Sequence, residues 1–324
     1  MDRSNASRRA VLAGFGALAA APAMASVCAK SRANLAPLQA AMASGRFIAY
    51  QPTALKAING KLMHASDDSI RVDLSVLRPW FDSLITYGVL AGAEHIADVA
   101  ASLKFRSVII GVWDPSNEVE ISNAIAVWKR NPKIVSGLSL GNEIIFGKRG
   151  TWAELALALK QTRARAPGLP LTISEPFAEY LDHAESEAAM AQMDFMLANV
   201  HPIFEPWFKT APPKNWADFV VKVSALLATK FCGPVLVKET GVPSGPASSG
   251  FNKKNQAAFW RALEQQFSPG RDRAFAYFSA FDEPWRTSDF NPVAGPHPEE
   301  AHWGLFSEAR APKPVMGAVP KLRR

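Results

Sequence analysis

The sequence is poor in the features that would mark many function classes. Its 324 residues contain two cysteines, Cys28 and Cys232, too few for a disulfide framework. One bridge between them is permitted in an oxidising compartment but not required. The six histidines show no H-x-x-x-H or Cys/His spacing, so no metal site and no other cofactor is expected. No apolar run reaches the roughly 20 residues needed to span a bilayer, so an integral membrane segment is not expected. No Gly-rich phosphate loop follows the first apolar strand, which leaves a nucleotide-binding sheet without support. Linkers, repeats and charge runs are missing from the middle of the chain, as in one long domain. The net charge is +7, but the positive residues are scattered and do not form the basic face that a nucleic-acid groove needs.

What is present begins with a targeting pattern. Ser7-Arg8-Arg9-Ala10-Val11-Leu12 opens a small-residue apolar stretch that ends in Ala23-Met24-Ala25. A basic start, an apolar middle and an A-x-A exit form a secretory signal, and the paired arginines have the form of a twin-arginine signal. Residues 1–25 are therefore expected to be removed on export to the periplasm or beyond. The alternative is a disordered basic N-terminus. Losing Asp2, Arg3, Arg8 and Arg9 would leave a net charge of +5. Residues 26–46 then form a lead-in and 47–324 the catalytic unit.

From Phe47 onward, short β-branched apolar runs alternate with segments of helical period. Strands are expected at 47–50, 84–87, 107–112, 135–140, 169–174, 195–201, 235–239 and 274–281. Helices are expected at 69–81, 93–103, 118–128, 152–163, 184–193, 216–228 and 254–267. Eight such units fit a single-domain (β/α)8 TIM barrel, an α/β fold, and several strands are apolar throughout, as strands buried on both faces should be. A doubly wound open sheet is the rival.

In a barrel, polar residues at the C-terminal ends of strands face the active site. Here Asn142-Glu143 end the fourth strand, His201-Pro202 the sixth, Lys238-Glu239-Thr240-Gly241 the seventh and Asp282-Glu283-Pro284-Trp285 the eighth. The fourth and seventh strands lie nearly opposite one another in an eight-stranded ring, so Glu143 and Glu239 can face one opening. Two such carboxylates suit glycoside hydrolysis, one protonating the leaving oxygen and the other attacking the anomeric carbon. Lys238 is another conceivable partner for Glu239, but consecutive strand residues point to opposite faces, so that pairing is not expected. Trp113, Trp207, Trp285 and Trp303 follow strand ends, where indole faces could stack on sugars. Tyr50 and Tyr87 are also candidates for the cleft. His201 reads either as a cleft residue or as a polar core residue, and Asp282 either as a cleft or as a loop charge. Trp80, Trp128, Trp152, Trp216 and Trp260 lie in or beside helical segments and are read as packing residues.

Leu140-Gly141-Asn142-Glu143, Lys238-Glu239-Thr240-Gly241-Val242-Pro243-Ser244, Phe281-Asp282-Glu283 and Glu300-Ala301-His302-Trp303-Gly304-Leu305-Phe306 together resemble, in order, four motifs of glycoside hydrolase family 17. That family comprises β-1,3-glucanases and related bacterial glucosyltransferase-like enzymes. The resemblance implies a retaining enzyme acting on β-glucan oligosaccharides or polysaccharides, with Glu143 as acid/base and Glu239 as nucleophile. It also implies substrate-binding roles for Asn142, near the sugar 2-hydroxyl, and for Glu283, Arg286 and Glu300. Arg286 stands where a lysine is common, and His201 where a tyrosine is common. Val242 stands where the motif has tryptophan, which implies a smaller stacking surface near the cleavage point. Transglycosylation by the same two glutamates and a non-catalytic glucan-binding barrel are the competing readings. A monomer is expected.

Overall fold

The computed structural model describes residues 26–27, 33–58, 61–289 and 297–322. The expected signal at 1–25 and Cys28 lie outside the described residues. Cys232 is disulfide-bonded. Beside it, the backbone N–H of Val27 donates to the Lys230 carbonyl at 2.8 Å and that of Cys232 to the Val27 carbonyl at 3.2 Å.

The chain forms a closed barrel of eight parallel strands. Strand β1 (Phe47–Ala49) is followed by a short hairpin, β2 (Ala57–Ile58) and β3 (Lys61–Leu62). The remaining barrel strands are β4 (Ser83–Ile85), β5 (Ser107–Val112), β6 (Val135–Asn142), β7 (Leu171–Pro176), β8 (Met196–Asn199), β9 (Val235–Glu239) and β10 (Arg273–Tyr277). They pair in sequence, and β10 closes on β1, so the (β/α)8 TIM barrel is the fold and the open sheet is excluded. Helices fill the crossovers. Four of them, Asp67–Leu77, Glu118–Arg130, Trp152–Arg165 and Lys253–Gln266, begin after Ser66, Asn117, Thr151 and Asn252, whose side chains accept first-turn N–H groups. Each cap satisfies donors that the helix itself cannot. Among the described residues, no helix is long and apolar enough to cross a membrane.

Side-chain alternation divides the barrel into two apolar layers. Phe47, Ile85, Ile109, Phe195, Leu197, Leu236, Ala274 and Ala276 fill the inside, together with Leu38, Ala41 and Met42 of helix Ala36–Ser44. That helix runs directly into β1 and so covers the end where the strands begin; the sequence reading had no element there. Ile48, Leu84, Val108, Val235 and Val237 face outward to the helices. The five tryptophans read as packing residues belong to this outer layer, either fully buried or packed against it.

Two segments differ from expectation. The helix expected at 184–193 is shorter, Ser186–Met190, and a separate helix, Phe177–Asp182, precedes it where the sequence reading had no element. The apolar run after Tyr277 leaves the barrel ladder and pairs with the C-terminal segment: Phe306 N–H donates to the Ala280 carbonyl at 3.0 Å and Asp282 N–H to the Phe306 carbonyl at 2.9 Å. Gly304 is required at this crossing, because a Cβ there would lie 2.1 Å from the Asp282 nitrogen.

Candidate active site

Two register shifts build the site. Between β8 and β9, Ala198 pairs with Val237 and the next residue, Asn199, pairs with Glu239, so Lys238 is an extra residue on β9. Between β6 and β7 the pairing jumps from Ser139/Thr172 to Asn142/Ser174, again with one extra residue on β6. A bulge of this kind re-aims the side chains beyond it. Strict alternation would turn Glu239 outward beside Val237; the bulge brings it inward next to Lys238. The two therefore pair, with Lys238 Nζ 3.2 Å from Glu239 Oε1, which corrects the expectation that consecutive residues would keep them apart. On β6, Gly141 takes φ +87° and Glu143 itself φ +54°. A left-handed glutamate is strained, a conformation kept where surrounding bonds fix it.

Those bonds are visible. Glu143 N–H donates to the Ser174 carbonyl at 2.8 Å, and its own carbonyl accepts from Gly147 at 2.9 Å. The N–H groups of Ile145 and Phe146, in the same turn, donate to the buried carboxyl of Glu175 at 3.0 and 3.3 Å. Burial pushes Glu175 up to about 8, against those backbone bonds. Sequence reading ended the fifth strand at Ser174, two residues short, and so missed this carboxylate, although the strand-end rule would have found it.

The carboxylates of Glu143 and Glu239 sit in opposite electrostatic settings. Glu143 Oε1 accepts from Asn199 Nδ2 at 2.8 Å. Burial, and then the charge of Glu239, hold its carboxyl above the ordinary range. Burial also opposes ionisation of Glu239, but Lys238, His201 and Arg286 outweigh it and hold that carboxyl below the ordinary range. Glu239 Oε1 accepts from the Tyr87 hydroxyl at 3.1 Å, while Oε2 lies 3.6 Å from His201 Nε2. One group is thus poised to hold a proton and the other to stay anionic, the division that acid and nucleophile require.

A second cluster adjoins the first. Arg286 bridges Glu283 at 3.3 Å and Glu300 at 2.9 Å, and Glu300 accepts from the Trp303 indole at 3.2 Å. Burial raises Glu283 to about 7, against the pull of Arg286. The His201 ring packs on Trp303 at 4.9 Å and Phe278 at 5.3 Å, which joins the two clusters.

Other sequence-derived candidates fall elsewhere. Tyr50 is fully buried and donates to Asp73 at 3.0 Å, because the alternation that points Phe47 and Ala49 inward turns Tyr50 outward. Asp282 accepts from Lys313 at 2.6 Å and from Gly304 N–H at 3.0 Å, a clamp on the C-terminal segment. Val242 lies in the outer apolar layer, 1% exposed, so it does not line the cleft. Trp207 is half-buried and packs on Phe219, and Trp303 is buried between His201 and Phe278, so Trp303 offers no open face. Trp285 is half-buried. Exposed aromatic faces come instead from Trp113, with the Arg149 guanidinium 4.8 Å from its ring, and from Phe146 and Phe204. Both phenylalanines follow barrel strands and were not singled out from the sequence.

The family model for the BtgE/BtgC glycoside hydrolase domain matches residues 48–304. A glucan 1,3-beta-glucosidase of Arthroderma benhamiae is 26% identical over 255 residues, covering 72% of this chain and 81% of that protein. Among solved structures, a glycoside hydrolase family 17 β-1,3-glucanosyltransferase from Rhizomucor miehei superposes with a TM-score of 0.62 at 21% identity, covering 84% of this chain and 96% of the other. An endo-laminarinase from Formosa gives a TM-score of 0.61 at 19% identity, covering 82% and 83%. These two likenesses show the barrel fold. The family match spans the barrel from β1 through the Trp303-Gly304 segment and takes in both glutamates, and the protein belongs to the BtgE/BtgC glycoside hydrolase domain family.

Proposed function

We propose that the protein is a retaining glycoside hydrolase of the family 17 type that cleaves β-1,3-glucosidic bonds, with Glu143 as acid/base and Glu239 as nucleophile. The observation that carries this reading is the opposed setting of the two carboxyls, one raised and one lowered. Because Glu143 Oε1 accepts from Asn199, the proton belongs on Oε2, and from there it passes to the glycosidic oxygen as that bond breaks. Glu239 Oε1 already accepts from Tyr87 and pairs with Lys238, so Oε2, which has only His201 Nε2 beside it at 3.6 Å, is the oxygen that bonds the anomeric carbon. In the second step Glu143, now ionised, takes a proton from water as the water oxygen attacks the same carbon and releases Glu239. Asn142, His201, Glu283, Arg286 and Glu300 are assigned to sugar hydroxyls or to the charge around them, and Trp113 to ring stacking. Residues 1–25 are proposed as a twin-arginine export signal.

The test is incubation of the mature chain with laminari-oligosaccharides, with product masses and the anomeric configuration followed by proton NMR. Shorter products released first as the β-anomer support the reading. Longer products indicate transfer to a sugar hydroxyl by the same pair. Release of the α-anomer overturns the covalent mechanism, and unchanged substrate overturns the catalytic role. Glu239→Gln should lose activity of every kind, whereas Glu143→Gln should still accept a substrate whose leaving group needs no proton.

A further inference from the structure

Lys238 lies at the centre of the site and is buried inside the barrel, 1% exposed. Its ammonium touches four groups: Asn142 Oδ1 at 2.6 Å, Ser174 Oγ at 3.2 Å, Glu239 Oε1 at 3.2 Å, and the face of the Tyr87 ring at 4.3 Å from its centroid. A lysine this deep costs desolvation, which lowers its affinity for the proton; Glu239 and Glu143 act to restore it. A packing role alone would be met by an apolar side chain of the same length without that cost.

We propose that Lys238 is a positioning residue that sets the direction of every hydrogen bond between the two glutamates. The physical reason is that an ammonium can only donate. Its bond to Asn142 therefore fixes the amide oxygen toward β9 and turns the amide nitrogen toward the cleft, where it can serve a sugar hydroxyl. Its bond to Ser174 Oγ uses that oxygen as acceptor, so the Ser174 hydroxyl is left to donate to Asn199 Oδ1, 3.4 Å away. Asn199 is thereby oriented with its nitrogen on Glu143 Oε1. The path Glu239–Lys238–Ser174–Asn199–Glu143 is continuous; reversing Asn142 would set its NH2 against the ammonium, and reversing Asn199 would set its Oδ1 against Glu143 Oε1. The bulge at Lys238 is what brings the Glu239 carboxyl to the same side as this ammonium.

The inference rests on the functional reading above, so its test includes an arm that does not depend on activity. Glu239 faces Lys238, His201, Arg286 and Tyr87, with Glu143 across the cleft, and removing Lys238 takes away its nearest cation. In protein carrying [13C]carboxyl-labelled glutamate, assigned by loss of the Glu239→Gln signal, the Glu239 titration should move up by about one pH unit or more in Lys238→Met. The acid limb of kcat/KM should move with it. Asn142→Ala should reduce kcat/KM strongly in the native chain but only a few-fold when added to Lys238→Met, since the amide is no longer oriented. Lys238→Gln can still donate to Asn142 without charge; it should raise the Glu239 titration yet keep the full Asn142→Ala effect. An unmoved Glu239 titration in either variant, or additive losses with Asn142→Ala in Lys238→Met, overturns the proposal. If neither variant folds, the native chain decides, because a Glu239 titration at or above the ordinary glutamate value is incompatible with the assignment. Shifted titrations in a chain inactive on glucans would leave Lys238 in place and remove only the β-glucanase reading.

Discussion

Glu175 is buried beneath the turn that carries Glu143, and its substitution by glutamine should change how stability depends on pH. Its carboxyl is raised by burial to about 8, from an ordinary value of 4.5. The sign follows from linkage: between those values the folded chain holds a proton that the unfolded chain has released, so stability falls as pH rises. The contribution is fully present below pH 4.5 and is lost as pH passes 8. Each pH unit in that window costs about 1.4 kcal/mol, on the order of 5 kcal/mol over its whole width. Glutamine has nearly the same shape, never ionises, and keeps one oxygen for the Ile145 or Phe146 N–H. Urea unfolding of both proteins at pH 4.5 and pH 8.5, followed by tryptophan fluorescence, compares them with all other titrations in common. The stability of Glu175→Gln relative to the native chain should rise by several kcal/mol at the higher pH. A difference that stays within about 1 kcal/mol across the range would mean that Glu175 is ionised in the fold, and the reasoning from burial would fail. Glu175→Ala, by contrast, should lower kcat/KM, because it frees the turn that holds Glu143 at positive φ.

Glu120 does a similar service on the other side of the mouth. Its buried carboxyl accepts from the N–H groups of Val89, Trp113 and Asp114 at 3.2, 3.0 and 3.1 Å, so Glu120→Ala should cost roughly 3–5 kcal/mol of stability through stranded donors and lower kcat/KM through the Tyr87 and Trp113 loops; a loss under about 1 kcal/mol would contradict this. Val242→Trp should overpack the outer layer and destabilise by about 1–3 kcal/mol, with no selective gain on short oligosaccharides; a stable variant that favours the shortest substrates would show that the side chain reaches the cleft after all.

The sequence by itself determined the barrel, because short apolar runs between helical segments, several of them apolar throughout, leave few ways to bury both faces of eight strands. It also determined which strand ends carry carboxylates, and so brought forward Glu143 and Glu239. What it could not determine were the departures from period. An extra residue on β6 and another on β9 leave no mark in composition, yet they put Lys238 and Glu239 on one side and bring Asn142 to the ammonium. The fate of individual aromatics was equally a tertiary matter. Tyr50 and Tyr87 look alike at the ends of neighbouring strands, but the first is turned out to Asp73 and the second in to Glu239. Val242 and Trp303 sit inside motifs of the cleft and are nonetheless buried, while Phe146 and Phe204 are exposed at its rim. Local pattern fixes which face of a strand is apolar; which polar atoms then meet across the barrel depends on register, and register is set by all eight strands together.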